Sequence, residues 1–128
     1  MQLLASLYES LGKYKKYLKI SETVLDLRKE VLGEKHPDTL SSLNNIAWGY
    51  YLCGNYREGI PYAQKSVEFK KENDNVSWKS KVISNDTLAL LYSESGEIQK
   101  AIDIAVNDLD IVREFFDLRL IIRIVVPV

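Results

Sequence analysis

Apolar residues recur along this chain at helical spacing, and no alternating strand pattern competes before residue 117. Tyr56, Ile60, Ala63, Val67 and Phe69 follow a period close to 3.6 residues. The same pattern predicts six helices, over residues 2–11, 14–32, 38–53, 56–72, 77–95 and 98–116. The stretch Glu34-Lys35-His36-Pro37-Asp38 reads as a loop whose Pro37 suits the first turn of a helix, and Asn73-Asp74-Asn75 reads as another loop.

The chain also repeats itself. Gly12, Gly54 and Gly96 stand 42 residues apart, as do Ala5, Ala47 and Ala89, and Tyr8, Tyr50 and Tyr92. Tyr14, Tyr56 and Ile98 fall in the same register, followed by Tyr17, Gly59 and Ala101. Ala and Tyr three apart share one helix face, where the small residue admits a neighbouring helix and the ring fills the space beside it. A Gly four residues after the Tyr suits a helix C-terminus that needs a left-handed backbone. Each unit is therefore a helical hairpin.

These residues resemble the tetratricopeptide repeat, and the 42-residue period is similar to that of its kinesin light chain subclass. The run Leu32-Gly33-Glu34-Lys35-His36-Pro37-Asp38-Thr39-Leu40-Ser41-Ser42-Leu43-Asn44-Asn45-Ile46-Ala47 carries that subclass's signature. The junction from Glu72 to Val82 lacks it, and Asn85-Asp86-Thr87 replaces Leu43-Asn44-Asn45. Gly59 stands where the family usually has Ala, and Pro61 falls in the first turns of its helix, where it is tolerated. The resemblance implies an all-α fold of antiparallel helix pairs in a right-handed superhelix. It covers residues 1–116 as three units (1–36, 37–76 and 77–116), with an apolar tail over 117–128. That tail is rich in β-branched residues and carries Arg119 and Arg123. It reads either as an extension of the last helix or end-packed segment, or as a strand or helix that pairs with another copy through residues such as Leu120 and Ile124.

Composition narrows the functions. The 128 residues hold 17 Lys and Arg against 18 Asp and Glu, so a phosphate-binding basic surface and nucleic acid are not expected. One Cys and one His allow neither an intramolecular disulfide nor a four-ligand zinc site, and no cofactor is expected. No apolar run spans a bilayer and no signal peptide is evident, so a cytoplasmic location away from membranes is the expectation. His36 and Cys53 lie at opposite ends of one predicted helix, about 25 Å apart, which excludes a dyad. His36 is read as joining two units and Cys53 as a small packed residue. No nucleotide-binding glycine loop occurs, and no enzyme is expected. Lys13, Lys15, Lys16 and Lys19 form a basic cluster on an outer helix, either a solvated face or a dock for an acidic partner.

The resemblance implies that the first helix of each unit lines a concave groove that holds a protein or peptide partner. The family's groove positions fall on Leu3, Ser6 and Glu9, on Asn44, Asn45, Trp48, Tyr51 and Leu52, and on Asp86, Thr87, Leu90, Ser93 and Glu94. Asn45 matches the Asn with which the family bonds a peptide backbone, and an amide supplies donor and acceptor together. Trp48 and Tyr51 offer aromatic anchors, although Trp48 equally suits packing against the next unit. The set contains no Lys or Arg, which removes the carboxylate clamp of chaperone-binding members and the support for acidic peptides. Two further readings stay open: a scaffold fragment that self-associates through its ends and tail, and the regulatory segment of a larger protein.

Overall fold

The computed structural model describes the backbone of residues 2–125 and the side-chain surroundings of residues 2–114. Six helices follow one another: α1 (Gln2–Ser10), α2 (Tyr14–Leu32), α3 (Pro37–Leu52), α4 (Tyr56–Lys71), α5 (Trp78–Glu94) and α6 (Ile98–Val125). They stack as helical hairpins in an all-α superhelix. Each helix packs on its chain neighbours, and α3 also touches α5.

The Tyr and Gly columns build the hairpin turns. Gly12, Gly54 and Gly96 take φ of 73°, 78° and 90°, the left-handed region that a Cβ disfavours. The residue after each glycine donates its N–H to the column tyrosine's carbonyl. These bonds run from Lys13 to Tyr8 (2.8 Å), Asn55 to Tyr50 (2.9 Å) and Glu97 to Tyr92 (2.8 Å). This is the six-to-one bond of a Schellman cap, which satisfies carbonyls that the helix end leaves without partners.

The units are joined by caps and by size matching. His36 caps α3, its Nδ1 accepting the Asp38 N–H at 3.1 Å, and Ser77 Oγ caps α5 by accepting from Ser80 N–H. A Cβ on Gly49 would stand 2.9 Å from Leu18 Cδ1 and 3.3 Å from the Tyr17 ring. One on Gly59 would stand 3.0 Å from the Ala47 carbonyl oxygen and 3.2 Å from Leu91 Cδ2. The first boundary thus sets a large residue of α2 against a small one of α3, and the second sets a small residue of α4 against a large one of α5.

Helix α6 continues nine residues past the expected end at 116, reaching Val125. Neither Gly nor Pro stands between Ile98 and Pro127 to stop it. The readings that rest on the tail's side chains, including pairing through Leu120 and Ile124, lie outside the described residues.

A polar contact repeats with the period. At the first boundary Arg28 donates to Ser42 Oγ (2.8 Å) and to the Asp38 carbonyl (3.1 Å). At the equivalent positions Lys70 Nζ donates to Ser84 Oγ (2.7 Å) and approaches the Ser80 carbonyl (3.4 Å). Ser84 and Ser66 are bonded at 3.1 Å, and Ser66 donates to the Leu40 carbonyl at 3.0 Å. Because Ser66 spends its one proton on Leu40, Ser84 donates to Ser66 and the chain of donors runs Lys70, Ser84, Ser66, Leu40. Arg28 is only half-buried, whereas Lys70 is buried, and that burial pushes its ammonium down to about 8. Removing the hydroxyl should therefore cost more at the second boundary. Ser84→Ala is expected to destabilise by about 2 kcal/mol and Ser42→Ala by less than about 1 kcal/mol, read as urea midpoints at pH 7. The Ser84→Ala deficit should narrow above pH 8 as Lys70 loses its proton.

Candidate functional site

The first helices of the hairpins face a common groove of about 370 Å³. Glu9 of α1, Asn44, Asn45 and Trp48 of α3, and Ile83, Asp86, Thr87 and Leu90 of α5 line it, and Tyr17 of α2 reaches its wall. Residues 44, 45 and 48 share one face of α3, and 83, 86, 87 and 90 share one face of α5, as spacings of three and four require.

Trp48 is held from two sides. Its Nε1 donates to Glu9 Oε1 at 2.8 Å, and its ring stacks on Tyr51 with centroids 4.9 Å apart. It is half-buried, so it both packs and borders the groove. Thr87 is buried and turns its hydroxyl back to the Ile83 carbonyl at 3.1 Å, so it contributes little more than the floor of the groove. Asn44 is buried, and its Oδ1 has no hydrogen-bond partner. An orphaned buried acceptor carries an uncompensated desolvation cost.

The groove is acidic in formal charge. Glu9 and Asp86 are its charged lining residues, with neither Lys nor Arg among them. Asp86 also faces Asp108 of α6, which takes a 2.7 Å hydrogen bond from Asn85 Nδ2. Burial first, and Asp86 besides, push the Asp108 carboxyl up to about 6.

Tyr51 and Leu52 do not line this groove. They stand a turn further along α3, where Tyr51 supports Trp48 and leans on Tyr56 with centroids 5.6 Å apart. Leu52 and Cys53 instead border a separate hollow of about 550 Å³ beside Gly12, Lys13, Tyr14, Lys15 and Lys16. The exposed Leu3, Ser6, Ser93 and Glu94 are also absent from the groove lining. Sequence reading missed Ile83 and Tyr17. Ile83 lies four residues before Thr87, a signal that the helix period carries. Tyr17 belongs to a second helix and has no such signal; it borders the groove opposite Gly49, where α3 has no side chain.

A third hollow of about 520 Å³ opens between α4, α5 and α6, among Val67, Asn85, Ile104 and Ile111. One unit earlier the equivalent positions hold Leu25, Leu43, Tyr62 and Phe69, which belong to the apolar core around Leu40 and Ile46. The hollow is the volume that these smaller or polar residues fail to fill. His36 and Cys53 sit at opposite caps of α3 and cannot meet. Lys70 and Ser84 have the composition of a nucleophile and its base, but both are buried beyond the reach of a substrate.

The class defined by these observations is a helical-hairpin repeat protein. The tetratricopeptide repeat profile matches residues 1–72, and the chain belongs to that family. Comparison with curated proteins gives no match. Among solved structures, the fold is similar to the nearly identical TPR-like repeats of a putative kinesin light chain from Podosopora anserina. The TM-score is 0.76 at 23% identity, over 84% of this chain and 51% of that one. A single-substitution variant of that protein gives the same values. The chain therefore spans about half the length of these structures. Among the described residues no helix is long and apolar enough to cross a membrane.

Asp108 generates a pH dependence whose sign is fixed. Its folded value, about 6, lies above the ordinary 3.8, so its contribution to stability is complete below pH 4 and is lost as pH rises through 6. Asp108→Asn should keep the Asn85 contact, flatten that decline and raise stability at pH 7.5 by about 1–2 kcal/mol, measured by denaturant midpoints between pH 4 and 8.

Proposed function

We propose that this chain is a protein-interaction module whose concave groove holds an extended peptide segment of a partner. The observation that carries this reading is the convergence of three helices from successive hairpins on one open groove. Its wall combines apolar surface (Trp48, Ile83, Leu90) with amides (Asn44, Asn45). Such a mixture fits a peptide, whose backbone needs donors and acceptors and whose side chains need apolar contact. Asn45, which is half-buried, offers its amide to that backbone. Trp48, fixed by Glu9 and Tyr51, offers a rigid aromatic surface at low entropic cost. The proposal assigns no catalysis to the chain.

The two lining carboxylates set a preference. Glu9 and Asp86 repel an acidic peptide and favour one with Lys or Arg, because unpaired like charges in a partly desolvated groove are costly. The experiment is a selection of random phage-displayed peptides on the immobilised chain. Enriched peptides would then be titrated against Trp48 emission in a Trp78→Phe background. We expect enrichment of sequences carrying Lys or Arg beside an apolar residue. Asn45→Ala and Leu90→Asp should each weaken binding about tenfold, or 1.4 kcal/mol. Asp86→Asn should erase the preference for basic over neutral peptides. No enrichment, or binding indifferent to Asn45 and Leu90, would overturn the reading.

A further inference from the structure

The lysines at the start of α2 are exposed and line no part of the groove. Residues 10–21 hold Lys13, Lys15, Lys16 and Lys19 and no Asp or Glu. The repeat itself does not require this charge. One period on, residues 52–63 set Arg57 against Glu58, and residues 94–105 set Lys100 against Glu94, Glu97 and Asp103. The same turn is thus basic in the first hairpin, neutral in the second and acidic in the third. Among the described residues none of the four lysines is ion-paired. Lys16 rests over the Tyr8 ring at 5.6 Å. Lys19 follows Lys15 by four residues and Lys16 by three, so like charges meet on the helix surface at a cost to α2.

Two hollows open beside these lysines. One, of about 550 Å³, lies between the first hairpin turn and the end of α3, with Tyr14 and Leu52 in its wall. The other, of about 650 Å³, runs along α2, with Leu18 in its wall. Lys15 and Cys53 line both, so the two hollows adjoin. Tyr14, Leu18 and Leu52 are half-buried and give the surface its apolar part. All of it is built between the first hairpin and the second, and it shares no residue with the groove.

Charge and shape together define the occupant. Four ammonium groups without acidic partners call for anionic groups, and the apolar walls call for a side chain set between those groups. From Lys13 to Lys19 the helix rises about 9 Å, the length of about three extended peptide residues. A nucleic-acid strand needs basic groups that continue along its backbone. Here Glu22 ends the basic stretch on α2, and the turn of the second hairpin is neutral. A bilayer surface does not fill a concavity. We infer that this edge docks an acidic peptide segment of a partner protein, its carboxylates on the four lysines and an apolar side chain between Tyr14 and Leu52. The edge and the groove then select opposite charges.

The single thiol supplies the test. Cys53 is the chain's one cysteine and lines both hollows. Its rate of maleimide labelling therefore reads the edge, while Trp48 emission in a Trp78→Phe background reads the groove. The probes are fluorescein-tagged synthetic peptides, titrated by anisotropy: a panel of Glu and Asp runs around one Leu, Ile, Phe or Tyr, and the same panel with Gln and Asn in place of the acids. Acidic members should bind at least about tenfold more tightly than their neutral counterparts, and added salt should weaken them. Bound peptide should slow Cys53 labelling and leave Trp48 emission unchanged. Lys15→Glu with Lys19→Glu should weaken binding about tenfold. Lys65→Glu with Lys79→Glu, exposed on other helices, should change it less than about twofold. Acidic residues suit the start of a helix, and circular dichroism checks folding. Should the reversed variant melt early, Lys15→Gln with Lys19→Gln removes the charge alone. No preference for acidic over neutral peptides, equal losses from the two lysine pairs, or binding that alters Trp48 and leaves Cys53 unprotected would each overturn the inference. So would tighter binding of a single-stranded oligonucleotide of matched charge, or of phosphatidylserine-rich vesicles, which would make the lysines a nucleic-acid or a membrane surface.

Discussion

Helix meets helix across each unit boundary through one large and one small residue, and the order of the two is reversed between the boundaries. Tyr17 needs the absence of a side chain at Gly49. At Gly59 a methyl group would crowd first the Ala47 carbonyl and Tyr50 of its own hairpin and then Leu91 across the boundary. Close packing makes such positions sensitive to single carbon atoms. The groove depends on this arrangement as well. Tyr17 fills the boundary and also reaches the groove wall, so the surface offered to a ligand is continuous with the packing that holds the hairpins in register.

The two boundaries otherwise differ in character. The first is closed by an apolar core of Leu25, Leu40, Leu43, Ile46 and Val76, and Tyr62 and Phe69 pack against it. The second trades part of that volume for polar groups: Asn85 bonded to a buried Asp108, and Lys70 bonded through Ser84 and Ser66 to the α3 backbone. Buried charges without an opposite charge are expensive unless hydrogen bonds replace the lost water. At Lys70 the serines supply that replacement. At Asp108 one oxygen remains without a partner. Among the described residues ion pairs contribute little; the pair of Lys100 with Glu97 lies on the surface.

Much of this was legible in the sequence. The Gly12, Gly54 and Gly96 column marked the turns because a left-handed cap leaves few other choices of residue. The Ala and Tyr columns marked the faces that pack. That Asn45, Trp48, Thr87 and Leu90 line one hollow follows from helical periodicity together with the resemblance. Periodicity does not place Tyr51 and Leu52, because a stripe gives direction around a helix and says nothing of how far along it the neighbouring hairpin extends. The donor chain from Lys70 was hidden because it needs two columns compared at once: Arg28 with Lys70, and Ser42 with Ser84. The repeat register ends near 116, and α6 runs on to Val125, as the reading of the tail as an extension of the last helix allows, because no Gly or Pro stands before Pro127.

The contact pattern also fixes how the molecule answers a pull. Backbone contacts join chain neighbours and α3 with α5, and the Glu9–Trp48 bond adds α1 to α3, so no strut ties the first hairpin to the last. Tension applied through the two termini therefore acts on one boundary at a time. Helix α1, which has no buried residue, would peel away first, while α3, gripped on both sides, would hold longest. Such a stack lengthens in steps and shortens again when released, in the manner of a weak spring.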